Sequence, residues 1–102
     1  IDQIKTTKRD ESLKEVFHLY MFQTDQREDL YNFLRERNID AKVHYPIPMH
    51  LQPASGFLGH KKGDFPIAEE LANTSISLPV HEFINEQQVS MMIDTVKEFF
   101  SK

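Results

Sequence analysis

The stretch VFHLYMF, residues 16–22, decides the fold, because it predicts a strand with two apolar faces. Short runs of β-branched and aromatic residues favour an extended strand. Alternate side chains of a strand point to opposite faces, and here Phe17, Leu19 and Met21 oppose Val16, Tyr20 and Phe22. Such a strand is typical of a sheet that is covered on both sides.

Outward from this strand, the flanking segments predict further elements. Residues 1–14 are mostly polar and are interpreted as an arm or linker. Asp25 is predicted to cap a helix, with Glu28 in capping-box position and Asn38 as a left-handed stop. A second short strand is predicted at residues 41–43.

The second half of the chain begins with an irregular, proline-rich loop at residues 44–64. Asp64 is predicted to cap the next helix, and Pro66 fits its first turn. The inner face of this helix is predicted to be Ile67, Ala68, Leu71 and Ala72. A strand at residues 75–78 follows, and Asn85 begins a last helix with apolar residues at three- and four-residue steps.

This order of elements predicts an α+β fold. We expect a two-layer sandwich in which a small, mostly antiparallel sheet of about three strands has helices packed on one face. The other face of the sheet then needs a partner, because the first strand is apolar on both sides.

Composition excludes several classes of function. The chain has 102 residues, a net charge of -4 and no cysteine. No basic stripe indicates nucleic-acid binding, and no apolar run is long enough to span a membrane. Without cysteine there is no disulfide or thiolate chemistry, which permits a cytoplasmic location. The histidine spacings do not match a metal site, and acidic pairs such as Glu69-Glu70 are interpreted as solvated surface.

The loop starts with the corner His44-Tyr45-Pro46. Prolines restrict their own backbone and that of the residue before them, so the corner presents its two rings in a fixed direction. Imidazole and phenol suit hydrogen bonding to a polar ligand. From the residues alone, a stiff surface turn whose rings pack on the sheet is the favoured interpretation, and a ligand-binding corner is the alternative.

The chain as a whole resembles the carboxy-terminal domain of the DegT-type sugar aminotransferases, which are fold-type I, pyridoxal-phosphate enzymes. The resemblance covers residues 12–102 and rests on an ordered series of motifs. The motifs are VFHLYMF, NIDAKVHYPIPMHLQP from Asn38, GDFPIAE from Gly63, SLPVH from Ser77, and the last helix. Asn38 stands where family members commonly have glycine, and asparagine tolerates the same left-handed geometry.

The resemblance implies that the chain is a fragment. The family's cofactor-binding groups lie in a large amino-terminal domain, and no lysine here has the family's Schiff-base context. Residues 1–14 would then be the arm from that missing domain, and residues 15–102 the small domain, expected to be inactive alone. No catalytic, cofactor-binding or metal-binding residue is expected in this chain.

The resemblance also implies a substrate site. His44 and Tyr45, and more weakly His50, are the expected substrate-binding residues. The full-length enzyme would transfer an amino group from glutamate or glutamine to a nucleotide-linked keto-sugar, as a cytoplasmic homodimer with pyridoxal 5'-phosphate. It would serve surface polysaccharide or deoxysugar biosynthesis. Two alternatives remain: a stand-alone binding module for a small ligand or a protein, and a DegT-like relative that does not transaminate.

Overall fold

A three-stranded antiparallel sheet forms the centre of the computed structural model, which describes all 102 residues. The strands are β1 (Lys5–Thr6), β2 (Tyr20–Gln23) and β3 (Ser75–Leu78), in the spatial order β1-β2-β3. The register of β2 and β3 sets Tyr20 opposite Leu78 and Phe22 opposite Ile76. These four side chains therefore share one face of the sheet.

Two of the three α-helices cover that face. The helices are α1 (Arg27–Glu36), α2 (Pro66–Thr74) and α3 (Glu86–Phe100), with short 3₁₀ segments at Met49–Leu51 and Pro53–Leu58. The core contains eight buried residues from the sheet, α1, α3 and the segment after α1: Phe22, Leu30, Leu34, Ile39, Ala41, Ile76, Met92 and Val96. The α+β fold predicted from the sequence is confirmed. None of the three α-helices combines the length and apolarity that a membrane span requires.

The predicted ends of α1 and α3 are confirmed at two of their caps. Asn38 has a φ of +60°, and the N–H groups of Asn38 and Ile39 donate to the carbonyls of Arg35 and Leu34. This is the Schellman arrangement, and it also brings Ile39 into the core beside Leu34. At α3, Asn85 and Gln88 make both hydrogen bonds of a capping box.

The predicted starts of α1 and α2 are wrong by one residue each. Gln26 occupies the cap position of α1 and makes no side-chain capping bond, while Thr24 Oγ1 accepts the Gln26 N–H. Phe65 occupies the cap position of α2, because Asp64 accepts the Lys61 N–H instead. Pro66 does lie in the first turn, as predicted.

The strand predicted at residues 16–22 begins only at Tyr20. Phe17 adopts a left-handed φ of +48°, which ends any extended run before it. Val16 is 87% exposed, so the apolar stretch is largely uncovered within this chain. The edge strand β1 falls in the segment interpreted as an arm, and it pairs with Phe22 and Gln23 of β2.

Two further predictions about the sheet and α2 need correction. The strand predicted at residues 41–43 is reduced to one bridge between Lys42 and Ser77. Of the four residues predicted to form the inner face of α2, only Ala72 is buried, and Ile67 is 73% exposed. Part of the apolar stripe of α2 therefore stays uncovered within this chain, since Ile67 and Leu71 are 73% and 39% exposed.

Candidate functional site

The bridge to β3 fixes the position of His44. The Lys42 N–H donates to the Ser77 carbonyl at 3.0 Å, and the Ser77 N–H donates to the Lys42 carbonyl at 2.8 Å. Two residues later, Nδ1 of His44 lies 3.1 Å from the Ser77 hydroxyl oxygen. The backbone bridge and the side-chain hydrogen bond together hold the imidazole against the face of the sheet opposite to the core.

Tyr45 points its ring into solvent beside His44. The two rings meet edge to face with centroids 5.6 Å apart, and the peptide bond that joins the residues is cis. Tyr45 is 72% exposed. Because His44 is held by the sheet and the chain continues through Pro46 and Pro48, the phenol projects from a constrained backbone.

A cavity of about 260 Å³ opens next to this corner. Its walls include Met21 of β2, Leu71 of α2, and Ile47 of the loop, together with His44 and Tyr45. Mainly apolar walls with a few convergent polar groups are typical of small-molecule sites.

One buried polar group in this cavity lacks a partner. Ser75 lines the cavity and is only 3% exposed, yet its hydroxyl oxygen makes no hydrogen bond within the chain. Buried hydroxyls are nearly always paired in proteins, so this group marks the cavity as a place where a ligand or further chain would find a hydrogen-bonding partner.

His50 lies outside this cavity and is paired. Its side chain is 7% exposed, and its Nε2 lies 2.9 Å from a carboxylate oxygen of Glu69, whose side chain is 13% exposed. The same oxygen accepts the Gly63 N–H at 2.7 Å. The Gly63 N–H lowers the pKa of Glu69 most, burial opposes this, and the His50 ring lowers the pKa further.

The structure thus separates the three predicted substrate-binding residues. His44 and Tyr45 line the same cavity, and their contact with substrate stays a prediction. His50 instead packs edge to face on Phe65, with centroids 4.9 Å apart, and its exposed area is small.

Sequence reasoning missed Ser75, Ser77 and Glu69. The sequence predicts Ser77 as part of the strand at residues 75–78 and Glu69 as a solvated surface residue. A signal for Glu69 does exist, because it precedes Ala72 by three residues and so shares a helix face with a predicted inner position. No comparable signal marks a serine within a short strand.

The structure shows no group of three or more histidine, cysteine, aspartate or glutamate side chains that could hold a metal ion. Nδ1 of His60 lies 3.7 Å from a carboxylate oxygen of Asp64, and its ring packs edge to face on Phe65 with centroids 5.0 Å apart. His44, His50 and His60 each lie near one polar side chain instead, namely Ser77, Glu69 and Asp64.

Residues 1–97 match the DegT/DnrJ/EryC1/StrS aminotransferase family, and the chain belongs to that family.

Individual relatives agree with this assignment. A "Pleiotropic regulatory protein" of Geobacillus stearothermophilus is 36% identical over 97% of this chain and 27% of its own length. The dTDP-3-amino-3,4,6-trideoxy-alpha-D-glucose transaminase of Streptomyces venezuelae is 37% identical over 82% of this chain and 22% of its own. The chain thus spans about a quarter of the length of these relatives.

Solved structures show the same fold. S. venezuelae DesV, in complex with a ketimine intermediate, superimposes with a TM-score of 0.92 at 32% identity, covering 98% of this chain and 27% of that one. A DegT DnrJ EryC1 StrS aminotransferase from Brucella abortus has a TM-score of 0.87 at 25% identity, covering 99% of this chain and 27% of its own.

The residues of this chain do not fit a lysine-bound pyridoxal phosphate. All eight lysines are exposed, and none of them lines the cavity beside His44. A lysine that forms a Schiff base with a cofactor lies in a pocket that excludes water. The chain therefore has a cavity beside His44 and Tyr45 but no lysine whose surroundings fit a Schiff base with the cofactor.

Proposed function

We propose that this chain is the small, carboxy-terminal domain of a pyridoxal-phosphate-dependent sugar aminotransferase. Residues 15–102 would form the domain, and residues 1–14 would connect it to a large cofactor-binding domain. The full-length enzyme transfers an amino group from glutamate or glutamine to a nucleotide-linked keto-sugar. Family membership and relatives named as dTDP- and UDP-sugar aminotransferases support this proposal.

The observation that carries the proposal is the cavity beside the His44-Tyr45 corner. His44 is held by Ser77, Tyr45 projects into solvent, and the unpartnered Ser75 hydroxyl faces the same space. These groups donate and accept hydrogen bonds, as recognition of sugar and phosphate oxygens requires. Their proposed role is to orient the substrate and exclude water, while the chemical step lies with the large domain.

The remaining features of the proposal concern the full-length protein. The 102-residue chain alone is inactive, because its lysines do not fit the cofactor. The enzyme works in the cytoplasm as a homodimer, with most of its dimer interface outside this chain. A role in polysaccharide biosynthesis is supported by the similarity to the Bacillus subtilis spore coat polysaccharide biosynthesis protein SpsC.

The test compares the two half-reactions of the full-length protein. With pyridoxal phosphate bound, glutamate converts the cofactor to its amino form, and a dTDP- or UDP-linked keto-sugar converts it back. The variant Tyr45→Phe removes one hydroxyl and should slow only the second half-reaction, by about tenfold for the loss of one hydrogen bond to a polar substrate. His81→Gln, a change at an exposed histidine outside this cavity, is the control. Equal rates for both variants would refute the assigned role of Tyr45.

A non-transaminating role is the second candidate. The "Pleiotropic regulatory protein" of G. stearothermophilus is similar to 97% of this chain. A full-length protein that binds pyridoxal phosphate but converts no keto-sugar in the presence of glutamate would favour this candidate over the first.

A further inference from the structure

The long loop that carries His44 and Tyr45 needs an anchor, because most of its side chains are not buried. Tyr45, Ile47 and Met49 are 72%, 48% and 79% exposed. A loop with so little apolar burial is held mainly by hydrogen bonds. Within the loop, the Gln52 side chain donates to the Ile47 carbonyl, and the Leu51 N–H donates to the Pro48 carbonyl. Both hydrogen bonds join residues of the loop to each other and not to the rest of the domain.

Beyond the hydrogen bond from His44 to Ser77, one carboxylate joins the later part of this loop to α2. Glu69 of α2 accepts from His50, six residues after His44, and from the N–H of Gly63, near the other end of the loop. Gly63 has a φ of +96°, a conformation that favours glycine and aims its N–H at the carboxylate. A residue six positions into the loop and a residue near its end thus meet on a single side chain of α2.

The chemistry of the pair is well defined. The lowered pKa of Glu69 keeps it ionised near neutral pH, so it is an acceptor only. His50 must therefore donate from Nε2. Its ring is fixed by the edge-to-face contact with Phe65, which itself meets His60 at 5.0 Å. Charge-assisted hydrogen bonds of this kind are stronger than neutral ones.

We propose that His50 and Glu69 form a clasp that positions the His44-Tyr45 corner for the sugar-nucleotide substrate. His50 is then a positioning residue, which acts through the loop and touches no substrate. This inference rests on the proposed function for the identity of the substrate, but the clasp itself is a property of the loop.

The test uses the full-length protein with bound pyridoxal phosphate and the variant Glu69→Gln. Glu70→Gln is the matched control, since Glu70 is the next residue of α2 and makes only an exposed contact with Lys5 at 3.8 Å. His50→Phe is the second variant; it keeps a ring against Phe65 but removes the donor. His50→Gln tests rescue, because its amide nitrogen can donate to Glu69.

The first readout is amide hydrogen exchange of residues 44–52. We expect Glu69→Gln and His50→Phe to raise the exchange rate at least about fivefold, with His50→Gln in between and Glu70→Gln unchanged. Equal exchange in Glu69→Gln and Glu70→Gln overturns the clasp. If Glu69→Gln does not fold, the exchange rates of His50→Phe and His50→Gln are compared instead. Equal rates in these two variants overturn the clasp.

The second readout is the affinity of the same proteins for dTDP and UDP, measured by calorimetry, beside the rate of the glutamate half-reaction. Weaker nucleotide binding with an unchanged glutamate rate supports the positioning role. Faster exchange with unchanged nucleotide binding overturns that role. If the parent protein binds neither nucleotide, the proposed substrate class fails, and the exchange comparison alone decides whether Glu69 and His50 hold the loop.

Discussion

Ser75 and Ser77 provide a matched pair of mutations that tests how His44 is held. Both lie on β3, face the same side of the sheet, and are 3% and 2% exposed. Only the Ser77 hydroxyl has a partner, His44 Nδ1, at 3.1 Å. The same Ser→Ala change should therefore have different effects at the two positions.

Ser77→Ala removes a hydrogen bond and leaves a half-buried ring nitrogen without its partner. The expected cost is about 1 kcal/mol of unfolding free energy. Ser75→Ala removes a buried hydroxyl that is unpaired within the chain, so the expected change lies between zero and about 1 kcal/mol of added stability.

Urea denaturation followed by circular dichroism measures both changes. A difference of 1 kcal/mol shifts the urea midpoint of a small domain by about 0.5–1 M at an unchanged slope. Ser77→Ala should unfold at lower urea than the parent protein, and Ser75→Ala at the same or higher urea. Equal destabilisation by both variants would refute the idea that Ser77 holds His44.

Three further predictions concern the stability of the domain. Asn85→Ala breaks the capping box of α3 and should cost about 1 kcal/mol, while Gln87→Ala on the exposed side of the same helix serves as the control in thermal unfolding. Leu34→Ala opens a cavity at a fully buried core position and should lower the free energy of unfolding by about 2–5 kcal/mol. The control is Leu13→Ala, at a residue that is 68% exposed, which should change the free energy of unfolding by no more than about 0.5 kcal/mol in the same urea titration. The Glu69 carboxylate has a lowered pKa in the folded chain, so its stabilisation is present above its unfolded pKa and is lost as the pH falls through the folded value. The difference in melting temperature between the parent protein and Glu69→Gln should therefore be constant near pH 6 and shrink below about pH 4, and a difference independent of pH would contradict this account.

Local signals in the sequence predicted the elements whose ends are set by local chemistry. Asn38 and Asn85 mark helix boundaries because their side chains or backbone angles satisfy the helix end directly. The stretch VFHLYMF predicts the bounds of its strand less accurately, since apolar residues favour a strand only where a neighbouring strand pairs with them. Within this stretch, β3 pairs only with residues from Tyr20 onward, and Phe17 turns the chain away before that point.

The candidate site was predictable only in part, for a physical reason. The prolines around His44 and Tyr45 are visible in the sequence, and they indicate a constrained corner. The partners of His44 and His50 are 33 and 19 residues away, at Ser77 and Glu69, and only the tertiary fold brings them together. Hydrogen bonds over such separations leave no periodic pattern in a single sequence.

We propose that this chain is the small domain of a sugar aminotransferase whose cofactor lies in another domain. The most direct measurement is the visible absorbance spectrum of the full-length protein and of the 102-residue chain, each incubated with pyridoxal phosphate and dialysed. The full-length protein should retain the band of lysine-bound cofactor and lose it on addition of glutamate, whereas the 102-residue chain should retain no such band. A band retained by the isolated 102-residue chain, or the absence of the band from both proteins, would contradict this proposal.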